Sequence, residues 1–225
     1  MKARVTPATD AEVDAEAAEV LRDPQRIEAL SYARVRAELE LEGFPEALRP
    51  LVLRLVYACA LPEIAGRLAW AGDPAGAARR ALEAGRPILC DVRMVEVGIA
   101  RSRLPAANAV RCFAHRREAR ELARRLETTR TAAGVELWQA EIADAVVAIG
   151  NAPTALFHLL DRLDRWSARP AAIFAFPVGF VGAAESKEAL IRNCRGVPYL
   201  TLRGRFGGSA LAAAAINALF GEERG

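Results

Sequence analysis

Five short apolar runs, each followed by a stretch of helical period, restrict this chain to one class of fold. They are Ile88-Leu89-Cys90, NAVRCFA at 108–114, AVVAIG at 145–150, AAIFAF at 171–176 and PYLTLRG at 198–204. Each run is too short for a buried helix and too continuous for a strand with one wet face, so each reads as a strand covered on both sides. The stretches after them, including 115–141, TALFHLLDRLDRW at 154–166, AESKEALIRNCRG at 184–196 and SALAAAAINALFG from 209, carry amphipathic or small-residue helices. Strand and helix alternating in this way give an α/β fold: a three-layer α/β/α sandwich with a mainly parallel sheet and right-handed crossovers, in a single domain.

Three helices precede the first of these strands. Asp23-Pro24, an N-cap followed by proline in the first turn, starts a helix expected to run to Gly43. A second begins near Pro45, with Leu48, Leu51, Val52, Leu55, Val56 and Cys59 at helical spacing, and a third ends at Gly85. Residues 1–21 are acidic and alanine-rich and read as an extension outside the 22–225 domain.

Composition narrows the function. Of 31 basic residues only Lys2 and Lys187 are lysine, and the net charge of +3 is too small to imply nucleic acid as a partner. Arginine binds carboxylates bidentately, so a ligand rich in acid groups would favour it where it faces that ligand. No apolar run reaches membrane-spanning length and the start lacks a signal peptide's apolar core, so a cytoplasmic protein with no membrane partner is expected. Cys59, Cys90, Cys112 and Cys194 are widely spaced in apolar stretches and read as buried free thiols, with no metal site. His115 and His158 read as surface or boundary residues.

Ligands of open parallel sheets bind beyond the carboxyl ends of the strands. Four segments lie there: Asp91-Val92-Arg93-Met94, Gly150 to Thr154, Pro177 to Gly182, and Gly207-Gly208-Ser209. Taken singly, each also reads as an ordinary strand-to-helix turn with a cap and a permissive glycine. No phosphate-binding loop, dinucleotide fingerprint, nucleophile elbow or zinc-protease helix occurs, which disfavours a nucleotide enzyme and leaves little for serine or zinc hydrolysis.

The wording and order of these segments resemble the precorrin-8X methylmutase family of cobalamin biosynthesis. The matching strings are LSYARVRAE, RLVYACA, ILCDVRMVEVGI, RSRLPAAN, TRTAAGVEL, AIGNAPTALF, PVGFVGAAESKEAL and GRFGGSALAAAAINAL, running in order from about residue 22 to 220. The resemblance implies a homodimeric isomerase needing no cofactor. It would bind precorrin-8X, an eight-acid tetrapyrrole, and move the C11 methyl to C12 to give hydrogenobyrinate. The four segments and the resemblance together nominate Ser31, Asp91, Arg130, Thr131, Asn151, Gly182, Gly208 and Ser209 as substrate-binding residues.

One position departs from the family. Where its motif carries a histidine thought to protonate the macrocycle, this chain reads Arg54-Leu55-Val56-Tyr57-Ala58-Cys59. An imidazole, with a pKa of ~6.5, suits proton transfer near neutral pH better than a phenol at ~10. Tyr57 is therefore the candidate catalytic position, and the alternative is a corrinoid-binding paralogue with altered or no turnover.

Overall fold

The computed structural model describes residues 22–220. Helices α1 (Pro24–Ala37), α2 (Arg49–Cys59) and α3 (Pro74–Glu83) lead into the alternating part of the chain. Strand β1 (Leu68–Ala71) precedes α3. There follow β2 (Ile88–Cys90), α4 (Arg93–Gly98), β3 (Val110–Cys112), α5 (Arg117–Arg125), α6 (Arg130–Glu136), β4 (Val146–Ile149) and α7 (Pro153–Leu163). Last come β5 (Ala172–Ala175), α8 (Ala183–Arg192), β6 (Tyr199–Leu202) and α9 (Ser209–Asn217). The sheet order is β1-β6-β5-β4-β2-β3, with every neighbouring pair parallel except β1 and β6. All five expected strands are present in a mainly parallel, single-domain sheet.

Period-two alternation divides the core. Ile88, Cys90, Val146, Ala148, Phe174 and Leu200 face α2, α3 and α9, while Leu89, Val147, Ile149, Ile173 and Tyr199 face α6, α7 and α8. Helix α9 is almost wholly buried, from Leu211 to Ile216. Its alanines let it lie close to the sheet and to α2.

Two expectations need correction. The first helix ends at Ala37, and Leu41–Gly43 form a separate 3-10 turn. No residue of α1 is buried, whereas Leu41 is; turning that leucine into the core breaks the helical path. Strand β1, the four-residue apolar run Leu68-Ala69-Trp70-Ala71 between Arg67 and Gly72, is not among the five expected strands; two of its four residues are alanine, which has little preference for strands. It exists by pairing with β6, Leu68 against Leu202 and Ala71 against Tyr199. The extension assigned to residues 1–21 lies outside the described residues.

Candidate functional site

β2 and β4 are neighbours, and the connection from β2 runs outward to β3 while that from β4 runs the other way to β5. Such a switch point opens a crevice at the carboxyl ends of the strands. Asp91, directly after β2, sits in it. It is 1% exposed, and its carboxylate accepts the N–H groups of Gly150 at 3.0 Å, Asn151 at 2.9 Å and Ala152 at 2.7 Å. Helix α7 has no side-chain cap of its own at Ala152, and Asp91 supplies one from another strand. Burial pushes the Asp91 pKa up, and the N–H donors pull it partly back. Its oxygens are committed to the backbone, so Asp91 shapes the loop that holds Asn151 rather than facing a ligand.

Around this loop other segments close in. A Cβ on Gly150 would lie 2.7 Å from the Ser209 Cα and from a Val95 methyl, so glycine is what lets α4 and α9 meet the loop. Gly207 passes so near the carbonyls of Phe176 and Pro177 that a side chain there has no room, and the Gly208 N–H donates to Phe176 O at 2.8 Å. The N–H groups of Ser209 and Ala210, opening α9, have no backbone acceptor, and the Ser209 hydroxyl is buried with no partner among the described residues. Gly182, at φ 79°, caps α8 and lies against Pro153 of α7. The hydroxyls of Thr129, Thr131 and Thr154 lie 2.8–3.2 Å from one another, joining the start of α6 to that of α7. Arg130 lies exposed between two of them, and neither it, Arg93 nor Arg205 has a carboxylate within 4 Å among the described residues. The structure thus gathers Asp91, Thr131, Asn151, Gly182, Gly208 and Ser209, with Arg130 beside Thr131, at one edge of the sheet. Unpaired arginines and helix N-termini suit anions.

Tyr57 and Ser31 belong to a second group. The Tyr57 ring stacks on Tyr32, centroids 4.8 Å apart and planes 6° from parallel, with the Arg54 guanidinium 5.2 Å from its centroid. Arg54 donates to the Tyr32 hydroxyl at 2.8 Å and lies 3.8 Å from Glu28. The Ser31 hydroxyl donates to Ile27 O within α1. No hydrogen bond or ring contact links this group to the Gly150 loop. Helix α9, whose first residue meets the Gly150 loop, also packs on α2, the helix that carries Tyr57.

Lys187 escaped the sequence reading. It is fully buried on α8, and its ammonium donates to Phe206 O at 2.7 Å, fixing the approach to Gly207. A compact ammonium suits one buried acceptor where a five-donor guanidinium would leave N–H groups unpaired, and lysine's near absence beside 29 arginines was the available signal. Burial lowers its pKa to about 8, so its contribution to stability rises as pH climbs from there towards the unfolded value near ~10.4. Of the cysteines only Cys90 and Cys112 are buried; Cys59 and Cys194 are partly exposed. Burial raises both buried thiols, Cys112 to about 11, which removes them as nucleophiles at neutral pH. His158 bridges Glu136, which also pairs with Arg162 at 2.7 Å; His115 is exposed.

Fold and site define a class: an α/β protein with both faces of its sheet covered and an anion-suited crevice at its switch point. Comparison with known proteins makes the class specific. The precorrin-8X methylmutase family profile matches residues 26–222. A precorrin-8X methylmutase of Pseudomonas aeruginosa is 51% identical over 199 residues, covering 88% of this chain and 96% of that one. A cobalt-precorrin-8 methylmutase of Priestia megaterium is 34% identical, covering 87% of each. The crystal structure of a precorrin-8X methylmutase from Thermus thermophilus superposes with a TM-score of 0.78 at 35% identity, covering 87% of this chain and 94% of that chain. The chain belongs to the precorrin-8X methylmutase family.

Proposed function

We propose that this chain is an isomerase of cobalamin biosynthesis that binds precorrin-8X and moves its C11 methyl to C12, giving hydrogenobyrinate. The observation that carries this reading is the family match across residues 26–222 of a chain whose described residues span 22–220. The metal-free substrate is favoured over its cobalt form because the relative named for the former is 51% identical and the one named for the latter 34%. The Ser209 and Ala210 N–H groups, the Thr131 hydroxyl, and Arg130 and Arg205 are the groups that would receive the eight carboxylates. A migration within one molecule needs no external methyl donor, so the protein's work is to hold the macrocycle and supply a proton to a ring nitrogen. Tyr57 is the residue read into that last role.

The reading has a direct test. Purified protein should take up hydrogenobyrinate and emerge coloured from gel filtration, and Arg130→Ala should weaken uptake by roughly 10- to 150-fold, equivalent to about 1.5 to 3 kcal/mol for a lost charged hydrogen-bond partner. Undiminished affinity in that variant would remove Arg130 from the site. A non-catalytic corrinoid-binding protein is the second reading, favoured by Tyr57 where the family motif carries histidine.

The same reading includes a cytoplasmic homodimer. Phe180 and Val181, 85% and 88% exposed, follow Gly179, with Val178 exposed in the same loop and Phe157 exposed on α7, its ring near Gly182. Apolar surface of this kind is a liability in a monomer and is covered in an oligomer. Light scattering should give twice the chain mass, and Phe180→Asp should shift the protein towards monomer; a monomeric wild type at micromolar concentration would refute the dimer. Among the described residues no helix is long and apolar enough to cross a membrane.

A further inference from the structure

At the β3 edge, beside the crevice, three side chains converge. Cys112 ends β3, His115 follows it by three residues, and Glu96 comes from α4, which packs on β3. The Cys112 Sγ, a His115 ring nitrogen and a Glu96 carboxylate oxygen all lie within 4.8 Å of one another. Glu96 and His115 line an open cavity of about 490 Å³ whose walls also include Arg93, Val97, Ile99 and Arg101. Cys112-Phe113-Ala114-His115 sets a thiol and an imidazole three residues apart in the chain, and the fold brings the Glu96 carboxylate to them.

We propose that Glu96, Cys112 and His115 form a binding site for a borderline divalent transition ion of the zinc type, three protein ligands leaving a fourth position open to the cavity. Thiolate, imidazole and carboxylate are the donor set such ions prefer, and magnesium or calcium would reject the sulfur. Bond lengths of ~2.0–2.3 Å to a tetrahedral ion bring ligand atoms to roughly 3.5 Å apart. Cys112 is buried and fixed, so the contraction falls to Glu96, partly exposed, and His115, exposed, both of which have room to move. One thiolate and one carboxylate neutralise a dication, leaving no net charge against the core. Arg101 opposes the ion, because its guanidinium lies 3.8 Å from Glu96 and competes for that carboxylate. Bound metal would tie α4 to the loop after β3, next to the Asp91 turn, where the Cys112 thiol already donates to Asp91 O at 3.7 Å.

The test uses the full chain after chelator dialysis, titrated with Co²⁺ as a coloured substitute for Zn²⁺, and needs no mutase activity. Wild type should take up one Co²⁺ with a thiolate-to-metal charge-transfer band in the near ultraviolet and the visible bands of a tetrahedral ion, both erased by added Zn²⁺. Cys112→Ser should lose the charge-transfer band, His115→Ala should weaken binding at least tenfold, and Arg101→Ala should tighten it. Zn²⁺ should raise the melting temperature of wild type but not of His115→Ala. Absence of the charge-transfer band in wild type, or its survival in Cys112→Ser, overturns the site. So does unchanged affinity in His115→Ala, whose exposed position keeps the test valid even where the buried serine variant misfolds. Since no readout depends on the tetrapyrrole, failure here is distinguishable from failure of the methylmutase reading.

Discussion

Replacing Tyr57 with histidine raises the rate of conversion of precorrin-8X to hydrogenobyrinate, by about 10²- to 10⁴-fold if the proton is rate-determining. Arg54 and Cys59 stand where the family motif has them, so the helical register is kept and an imidazole at 57 leaves the same face of α2 as the phenol. A phenol holds its proton too tightly at neutral pH to give it up readily, and an imidazolium does not. The new side chain costs little in packing, because Tyr57 is only partly buried and its main partner is the Tyr32 ring, which stacks on imidazole as well. Arg54 disfavours a second positive charge at that point, while Glu28 and the substrate's own carboxylates favour it. Single-turnover absorbance on wild type, Tyr57→His and Tyr57→Phe separates the readings. Rescue of a silent wild type identifies a binding paralogue that lost its acid. Wild-type turnover equal to that of Tyr57→His means the proton comes from another group. Binding without turnover in all three variants removes position 57 from catalysis.

Removing the Asp91 carboxylate destabilises the fold more than any other single change at the site. Asp91→Ala leaves the N–H groups of Gly150, Asn151 and Ala152 buried without an acceptor, at about 3–5 kcal/mol in total. At roughly 2–4 °C per kcal/mol for a chain of this size, the melting temperature falls by about 6–20 °C. Asp91→Asn costs less, about 1–3 kcal/mol, because its carbonyl still serves two donors and its amide meets only the third. Burial raises the Asp91 pKa from the ordinary carboxyl value, the three N–H donors pulling against it. This group by itself therefore adds stability as the pH falls from its folded pKa down to its lower unfolded value, and asparagine should remove that pH dependence. Calorimetry across pH on the three proteins checks both statements. A rise in KM with an unchanged melting temperature would instead make Asp91 a substrate contact.

That contrast shows how far residues speak before they are folded. Asp91, Asn151 and Ser209 were all selected by one rule, that ligands lie beyond strand ends, and the rule correctly placed them at one edge. It did not reveal that Asp91 points inward to cap a helix starting 62 residues later, since such a cap depends on the order of strands in the sheet. Tyr57 was singled out by its departure from a family motif, but its stacking on Tyr32 depends on how α1 lies against α2.

The strands and most helices followed from periodicity, because an apolar run of three to five residues flanked by polar turns has few ways to leave water. Local pattern also located the turns that carry the crevice. Only tertiary structure decided that the short, alanine-rich run Leu68–Ala71 is a strand, by pairing it antiparallel with β6 at the sheet's edge. It also ended α1 early to bury Leu41, and set a glutamate from one helix beside a cysteine and a histidine from another strand's end. The physical reason is common to all of these. Backbone pairing, burial and metal-ligand geometry are satisfied by groups far apart in the chain, and a linear sequence encodes their types without their distances.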